Sequence, residues 1–382
     1  MMKILQTIAD LSAASGGPST CTYDLLEALQ RTDVEAKLVT LASNDDLGAN
    51  KPWVTFLGND AYTSVALSKN MARYLRAFDV DLIHTNGLWL YTNHISAKVA
   101  REKGIPFVLT PHGMLIENAI KRQYFKKWPL LKLWFDRDIA GAACLHATCK
   151  AEAEYIRKFG YKGPVAVIPN PMPSVQWMDE ITECHNTKRI GFLGRFHPVK
   201  RIDILIEAWR MLGEKTMGAE LVLIGGGKPS YETYLYELAA QCKHGKVVFC
   251  GFMNGKEKFQ ELASLSALCL VSIFENFGMT VTEALSVGTP VIANLTTPWA
   301  DLNEYGCGWW IDATAEQIAV AIEAALGLTD VEREAMAKRG KQLVERKYTA
   351  QRVAEMMAEL YRWIGGEQVE VPKFVYLDRI DN

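Results

Sequence analysis

Short apolar runs alternate with helix-period patterns along this chain, and the alternation breaks once and then restarts. Residues 3–8, 36–41, 54–57, 81–84, 107–110, 144–147 and 165–168 read as strands, with helical patterns at 20–30, 68–78, 95–103 and 150–159. Pro169-Asn170-Pro171-Met172-Pro173 then interrupts, and so dense a run of prolines continues neither a helix nor an interior strand. Past the polar residues 179–188, strands resume at 189–193, 221–224, 247–249, 268–271 and 291–293. Helices are expected at 202–212, 231–242, 257–265, 280–287, 315–326, 331–346 and 350–364. Such alternation signals parallel sheets covered by helices on both faces. At 382 residues the chain is also too long for one ordinary core. The expected fold class is α/β: two doubly wound, Rossmann-like α/β/α domains, 1–170 and 171–350. A C-terminal helix and tail, 351–382, is expected to pack back toward the N-terminal domain. Open parallel sheets bind ligands at the carboxyl ends of their strands, so the two domains are expected to face each other across a cleft.

The segment Ser272-Ile273-Phe274-Glu275-Asn276-Phe277-Gly278-Met279-Thr280 leaves the strand at 268–271, turns through Gly278 and enters a helix. The first N–H groups of a helix lack partners and its dipole favours negative charge, so this turn is a candidate anion site. Glu275 and Glu283 bracket it. Carboxylates repel phosphate, which makes them candidate acceptors for sugar hydroxyls on either side of it. In the same domain the strand at 189–193 runs into Gly194-Arg195 and, five residues on, Lys200. A guanidinium fork and an ammonium at one strand end are suited to two adjacent phosphates, as in a diphosphate.

The net charge of −2 argues against bulk nucleic-acid binding. The eight cysteines form no C-x-x-C pair, and Cys144, Cys250 and Cys269 sit in apolar runs as small buried hydrophobes, the pattern of a reducing compartment. No stretch reaches the ~18 apolar residues of a membrane span, and the N-terminus reads as a strand rather than a signal peptide. A cytoplasmic protein is expected, with room for peripheral contact with the inner membrane face. Gly225-Gly226-Gly227 follows a strand but lacks the G-x-G-x-x-G spacing of a dehydrogenase.

Taken together, Gly194-Arg195-x4-Lys200 and Glu275-x7-Glu283 within Glu-Asn-Phe-Gly-Met resemble the retaining glycosyltransferases of family 4 (glycosyl transferases group 1), which have the GT-B fold. Supporting matches are Gly16-Gly17 after the first strand, Thr110-Pro111-His112-Gly113, residues 167–171, and Ala284-Leu285 running on through Gly288-Thr289-Pro290-Val291. Val271-Ser272 stands where the family often has Pro-Ser, and Asn276 where a small residue is usual.

The resemblance implies a role for each matched position. Arg195 and Lys200 would hold the nucleotide diphosphate and stabilise the charge that develops as it leaves. Main chain near Gly278, Met279 and Thr280, beside Phe277, would take the distal phosphate. Glu283 would accept from the ribose, Glu275 from the transferred sugar, and main chain at Gly251 and Phe252 would meet the base. Gly16 and Gly17 would come close to the diphosphate, and His112 would sit near the reacting sugar. The implied reaction moves a hexose-type sugar, with retention, from a nucleotide diphosphate sugar to a hydroxyl of a glycan or lipid-linked acceptor. Cell-surface polysaccharide synthesis is the implied setting. No Asp-x-Asp metal site is apparent, and Arg195 with Lys200 supplies the positive charge a metal would give, so no metal or other cofactor is expected. A nucleotide-sugar epimerase, a sugar phosphorylase and a non-catalytic nucleotide-sugar binding subunit are the alternatives. Residues 121–134, basic and aromatic, suit an anionic membrane surface or a lipid-linked phosphate.

Overall fold

The computed structural model describes all residues except 13–15, 42–46, 59–64, 122–123, 174, 176, 183–187 and 378–382; the side chains of residues 118 and 126 are likewise outside the description. The chain divides into two compact units, Met1–Pro173 with Thr349–Asn382, and Ser174–Tyr348. The first division falls at the end of the proline run. The second falls at the start of the last helix, which returns to the N-terminal unit.

In the N-terminal unit the strands are β1 (Lys3–Asp10), β2 (Glu35–Leu41), β3 (Val54–Leu57), β4 (Leu82–Asn86), β5 (Phe107–Thr110), β6 (Cys144–Ala147) and β7 (Val165–Val167). They pair in parallel in the order β7-β6-β5-β4-β1-β2-β3. The C-terminal unit has β8 (Arg189–Leu193), β9 (Glu220–Ile224), β10 (Lys246–Gly251), β11 (Ala267–Leu270), β12 (Val291–Asn294) and β13 (Gly308–Ile311). Their order, β10-β9-β8-β11-β12-β13, is parallel throughout. Sequence reasoning did not mark β13. Nor did it mark β14 (Val375–Tyr376) in the tail, which adds to β7 as an antiparallel edge.

In both sheets the strand order reverses once, between β1 and β4 in one unit and between β8 and β11 in the other. At such a switch point the crossover helices leave opposite faces, and a crevice opens at the strands' carboxyl ends. The central strands are buried on both sides, which explains the near-continuous apolar sequence of β5, β8 and β11; β4 instead buries the polar residues His84, Thr85 and Asn86.

The helix Ala350–Ile364 starts on a Thr349 N-cap and buries Val353, Ala354, Met357, Leu360 and Tyr361. That stripe joins a core shared with Ile4, Leu26, Leu29 and Leu38. The C-terminal helix is therefore part of the N-terminal unit's second layer.

The basic, aromatic segment folds as short helices, Glu117–Lys121 and Tyr124–Leu130, then a π-helical turn, Leu131–Phe135. Phe135 is buried, and Trp134 stacks on His94 with ring centroids 4.6 Å apart. Phe125 and Leu133 are 91% and 72% exposed. Two of the cations are neutralised by acids flanking the segment: Lys121 pairs with Glu117 at 2.5 Å and Lys132 with Asp136 at 2.6 Å. Arg122 lies outside the described residues.

Candidate functional site

The loops after β8 and β11 meet at the switch point of the C-terminal unit. Ile273 N–H donates to Val199 O at 2.9 Å, and Lys200 Nζ forms an ion pair with Glu275 Oε1. The same carboxylate oxygen accepts from Ser272 Oγ at 2.8 Å. Arg195, by contrast, is exposed and has no partner among the described residues. The site thus contains a free guanidinium beside an ammonium held by a carboxylate.

The β8 loop is aimed by its neighbour. Phe196 N–H donates to Gly226 O at 2.8 Å, and Gly194 N–H to Ile224 O at 3.0 Å. This pairing continues the β8–β9 ladder past the strand ends, so Phe196 turns into the core and Arg195 turns outward. It needs glycine at position 225, which has φ +135°; a Cβ there would lie 2.0 Å from Gly194 O. The triple glycine thus brings two loops into contact.

Gly278 adopts φ +83° as the N-cap of the helix Met279–Ser286, and no side chain caps that helix. The Met279 and Thr280 N–H groups have no protein partner among the described residues, and Thr280 Oγ1 is buried without one. Glu283, one turn in, is buried and pairs with Lys258 Nζ at 2.8 Å. Phe252 stands 75% exposed beside Gly226, where a Cβ would meet its ring at 2.8 Å, and Gly251 ends β10 with φ +71°. The Gly251 carbonyl accepts from Gly225 N–H at 2.7 Å, so the exposed Phe252 ring is what this edge offers a planar base.

Phe277 corrects the sequence reading. Its ring is buried against Trp299 and Tyr348, at centroid distances of 5.4 and 5.8 Å, and its carbonyl accepts from Trp299 Nε1 at 2.6 Å. It anchors the turn from behind and presents no side chain to a ligand. Cys250 is a smaller correction, half-buried rather than interior, whereas Cys144 and Cys269 are buried as expected.

In the N-terminal unit, Gly16 has φ +85° and precedes an uncapped helix, Gly17–Leu29; a Cβ at either glycine would enter open space. His112 follows β5 in the left-handed region, φ +48°, which is uncommon for a residue with a side chain. Its Nε2 lies 3.2 Å from Asn86 Oδ1. Desolvation, with a smaller contribution from His146, pushes its pKa down to about 3, so the imidazole is neutral at physiological pH. Gly113 N–H donates to the buried Glu152 carboxylate, which also accepts from Thr148 N–H at 2.8 Å; this fixes the main chain around His112.

Residues 176–343 match the family model for glycosyl transferases group 1, and residues 15–174 match that for glycosyltransferase family 4. The chain belongs to the group 1 glycosyltransferases. An uncharacterized glycosyltransferase of Methanocaldococcus jannaschii is 30% identical over 46% of this chain and 45% of its own length. A D-inositol 3-phosphate glycosyltransferase of Streptomyces bingchenggensis is 26% identical over 73% of this chain and 70% of its own. The chain spans about half the length of the first of these relatives. Anabaena HepE, solved with UDP and glucose, superposes with a TM-score of 0.74 at 20% identity, covering 94% of this chain and 99% of its own. Sucrose-phosphate synthase of Thermosynechococcus elongatus gives 0.74 at 19% identity, over 96% and 100%. These likenesses establish the GT-B fold.

Sequence reasoning missed two residues that the structure brings to the candidate site of the C-terminal unit. Lys258 lies on the helix Gly255–Ala263, just past the carboxyl end of β10. The rule that marked Lys200, a cation just beyond a strand's carboxyl end, marks Lys258 as well. Ser272 carried no such signal; its hydroxyl gains meaning only from its distance to Glu275.

Proposed function

We propose that this protein transfers a hexose-type sugar from a nucleotide diphosphate sugar to a hydroxyl of a glycan or lipid-linked acceptor, with retention of configuration. The observation that carries the reading is the arrangement at the β8/β11 switch point. An unpartnered Arg195 and the Lys200–Glu275 pair belong to adjoining loops, and beside them, past β11, lies an uncapped helix start. The diphosphate takes Arg195 and the Met279 and Thr280 N–H groups, and draws Lys200 from Glu275. Glu275 is then free to accept from a sugar hydroxyl, so donor binding itself arms the second group. Each new contact is charge-assisted, the stronger class of hydrogen bond. As the bond to the sugar breaks, the departing diphosphate gains charge, and fixed cations stabilise that charge more than they stabilise the ground state. Glu283, oriented by Lys258, accepts from the ribose.

Solved neighbours hold UDP or UDP-glucose, which supports a uridine nucleotide as the first donor to test. A thermal-shift panel of UDP, GDP and ADP with their glucose conjugates tests the reading, because a ligand that binds only the folded state raises Tm by mass action. One nucleotide series raising Tm in wild type and not in Arg195→Ala is the expected result; no response to any diphosphate refutes it.

Phe125 and Leu133, exposed among lysines, support peripheral contact with an anionic membrane on the cytoplasmic side, where a lipid-linked acceptor for polysaccharide synthesis is presented. Co-sedimentation with phosphatidylglycerol vesicles is expected, and Phe125→Ser with Leu133→Ser should abolish it. Equal sedimentation of that variant and wild type rejects the contact.

A further inference from the structure

A buried chain of hydrogen bonds leads from His112 to a single main-chain carbonyl. His112 Nε2 meets Asn86 Oδ1 at 3.2 Å, and Asn86 Nδ2 meets Gln6 Oε1 at 2.9 Å. Gln6 Nε2 meets Tyr361 Oη at 2.8 Å, and that hydroxyl meets His84 Nδ1 at 2.6 Å. His84 Nε2 meets Thr110 Oγ1 at 2.6 Å, Thr110 Oγ1 meets His146 Nδ1 at 2.8 Å, and His146 Nε2 meets Ile168 O at 2.8 Å. Every side chain along the way, from Asn86 to His146, is buried.

The far end sets the direction of every bond. A carbonyl only accepts, so His146 Nε2 carries a hydrogen. Burial lowers the His146 pKa to about 4, so that ring is neutral and its Nδ1 accepts from Thr110. Thr110 has one hydrogen and has given it away, so it accepts from His84 Nε2–H. Burial also keeps His84 neutral, and its Nδ1 accepts from Tyr361. Tyr361 must then accept from the Gln6 amide, Gln6 Oε1 from the Asn86 amide, and Asn86 Oδ1 from His112 Nε2–H. The opposite polarity would place a doubly protonated His146 in a dry interior, which desolvation disfavours.

We propose that Tyr361, on the C-terminal helix, and the Ile168 carbonyl together fix His112 in its Nε2–H tautomer, so that Nδ1 presents a lone pair to the ligand. His112 Nδ1 has no protein partner among the described residues. It accepts from a hydroxyl and has no hydrogen to offer a phosphate oxygen. That the hydroxyl belongs to a sugar rests on the function proposed above; the tautomer does not. Tyr361, Gln6 and Asn86 are positioning residues, acting through His112.

The test is a long-range proton–nitrogen correlation spectrum of the full chain labelled with 15N-histidine, at about neutral pH. His84, His112 and His146 should all show a protonated Nε2 and a bare Nδ1. Tyr361→Phe removes one oxygen from the chain, and His112 should then show a mixture of tautomers; Gln6→Met cuts the next link and should do the same. A His112 protonated on Nδ1 in wild type, or a spectrum unchanged in both variants, overturns the proposal. Because the spectrum is read without nucleotide, it stands apart from the thermal-shift panel. A failed panel with the expected spectrum rejects only the glycosyl-transfer reading; the reverse pair of results rejects only the tautomer.

Discussion

Acid is expected to unfold the N-terminal unit in a way that reports on the buried histidines, and His146 gives the magnitude. Its ordinary pKa of 6.5 falls to about 4 on folding, because desolvation outweighs the hydrogen bond to Ile168. Between those two values the unfolded chain takes up a proton that the folded chain refuses, so stability falls as pH falls. One such group costs about 1.4 kcal/mol per pH unit, hence roughly 3 kcal/mol over the window. His84 and His112 shift in the same direction for the same reason. A domain has only about 5–15 kcal/mol to lose. Urea unfolding at several values between about pH 7 and pH 4.5, scored on peptides of the N-terminal unit by pulse proteolysis, measures the slope. In His146→Gln, which keeps a polar side chain but cannot titrate, the slope should be shallower by one proton, about 1.4 kcal/mol per pH unit. Parallel slopes for wild type and variant would show that His146 is not buried neutral, and the polarity derived from it would fall too.

Other outcomes follow from the C-terminal unit. Arg195→Ala should lower kcat by about 10²–10³-fold, the scale of losing one donor to a developing anion, and steady-state kinetics with the donor found by thermal shift would show it. A loss below about threefold would remove Arg195 from the phosphate site. Gly278→Ala forces a side chain into φ +83° with its Cβ 2.9 Å from Leu270 and 3.2 Å from Trp299. A destabilisation of about 1–3 kcal/mol by urea unfolding is expected, together with weaker nucleotide binding. We also expect turnover to survive excess EDTA, because Arg195 and Lys200 supply the charge that a divalent ion would give; loss of activity restored by Mg²⁺ or Mn²⁺ would contradict that.

Much of this molecule is legible in one sequence because the signals are local. Strand and helix periods at 107–110, 144–147, 189–193 and 202–212 are repeated in the structure residue for residue, since backbone pairing and one-sided burial impose them within each element. The Gly278 turn and the Arg195 loop are local too, and strand ends are where open α/β sheets place ligands. Tertiary structure decided what faces what. Phe277 looks like a site residue by its place in the motif, yet Trp299, from beyond the next strand, draws its ring into the core. Lys200 and Glu275 read as separate groups and prove to be one ion pair, formed only because β8 and β11 lie side by side. The link between Gln6 and Tyr361 joins residues 355 positions apart. A hydrogen bond depends on distance and direction in space, and periodicity in the chain carries information about neither once the partners belong to different elements.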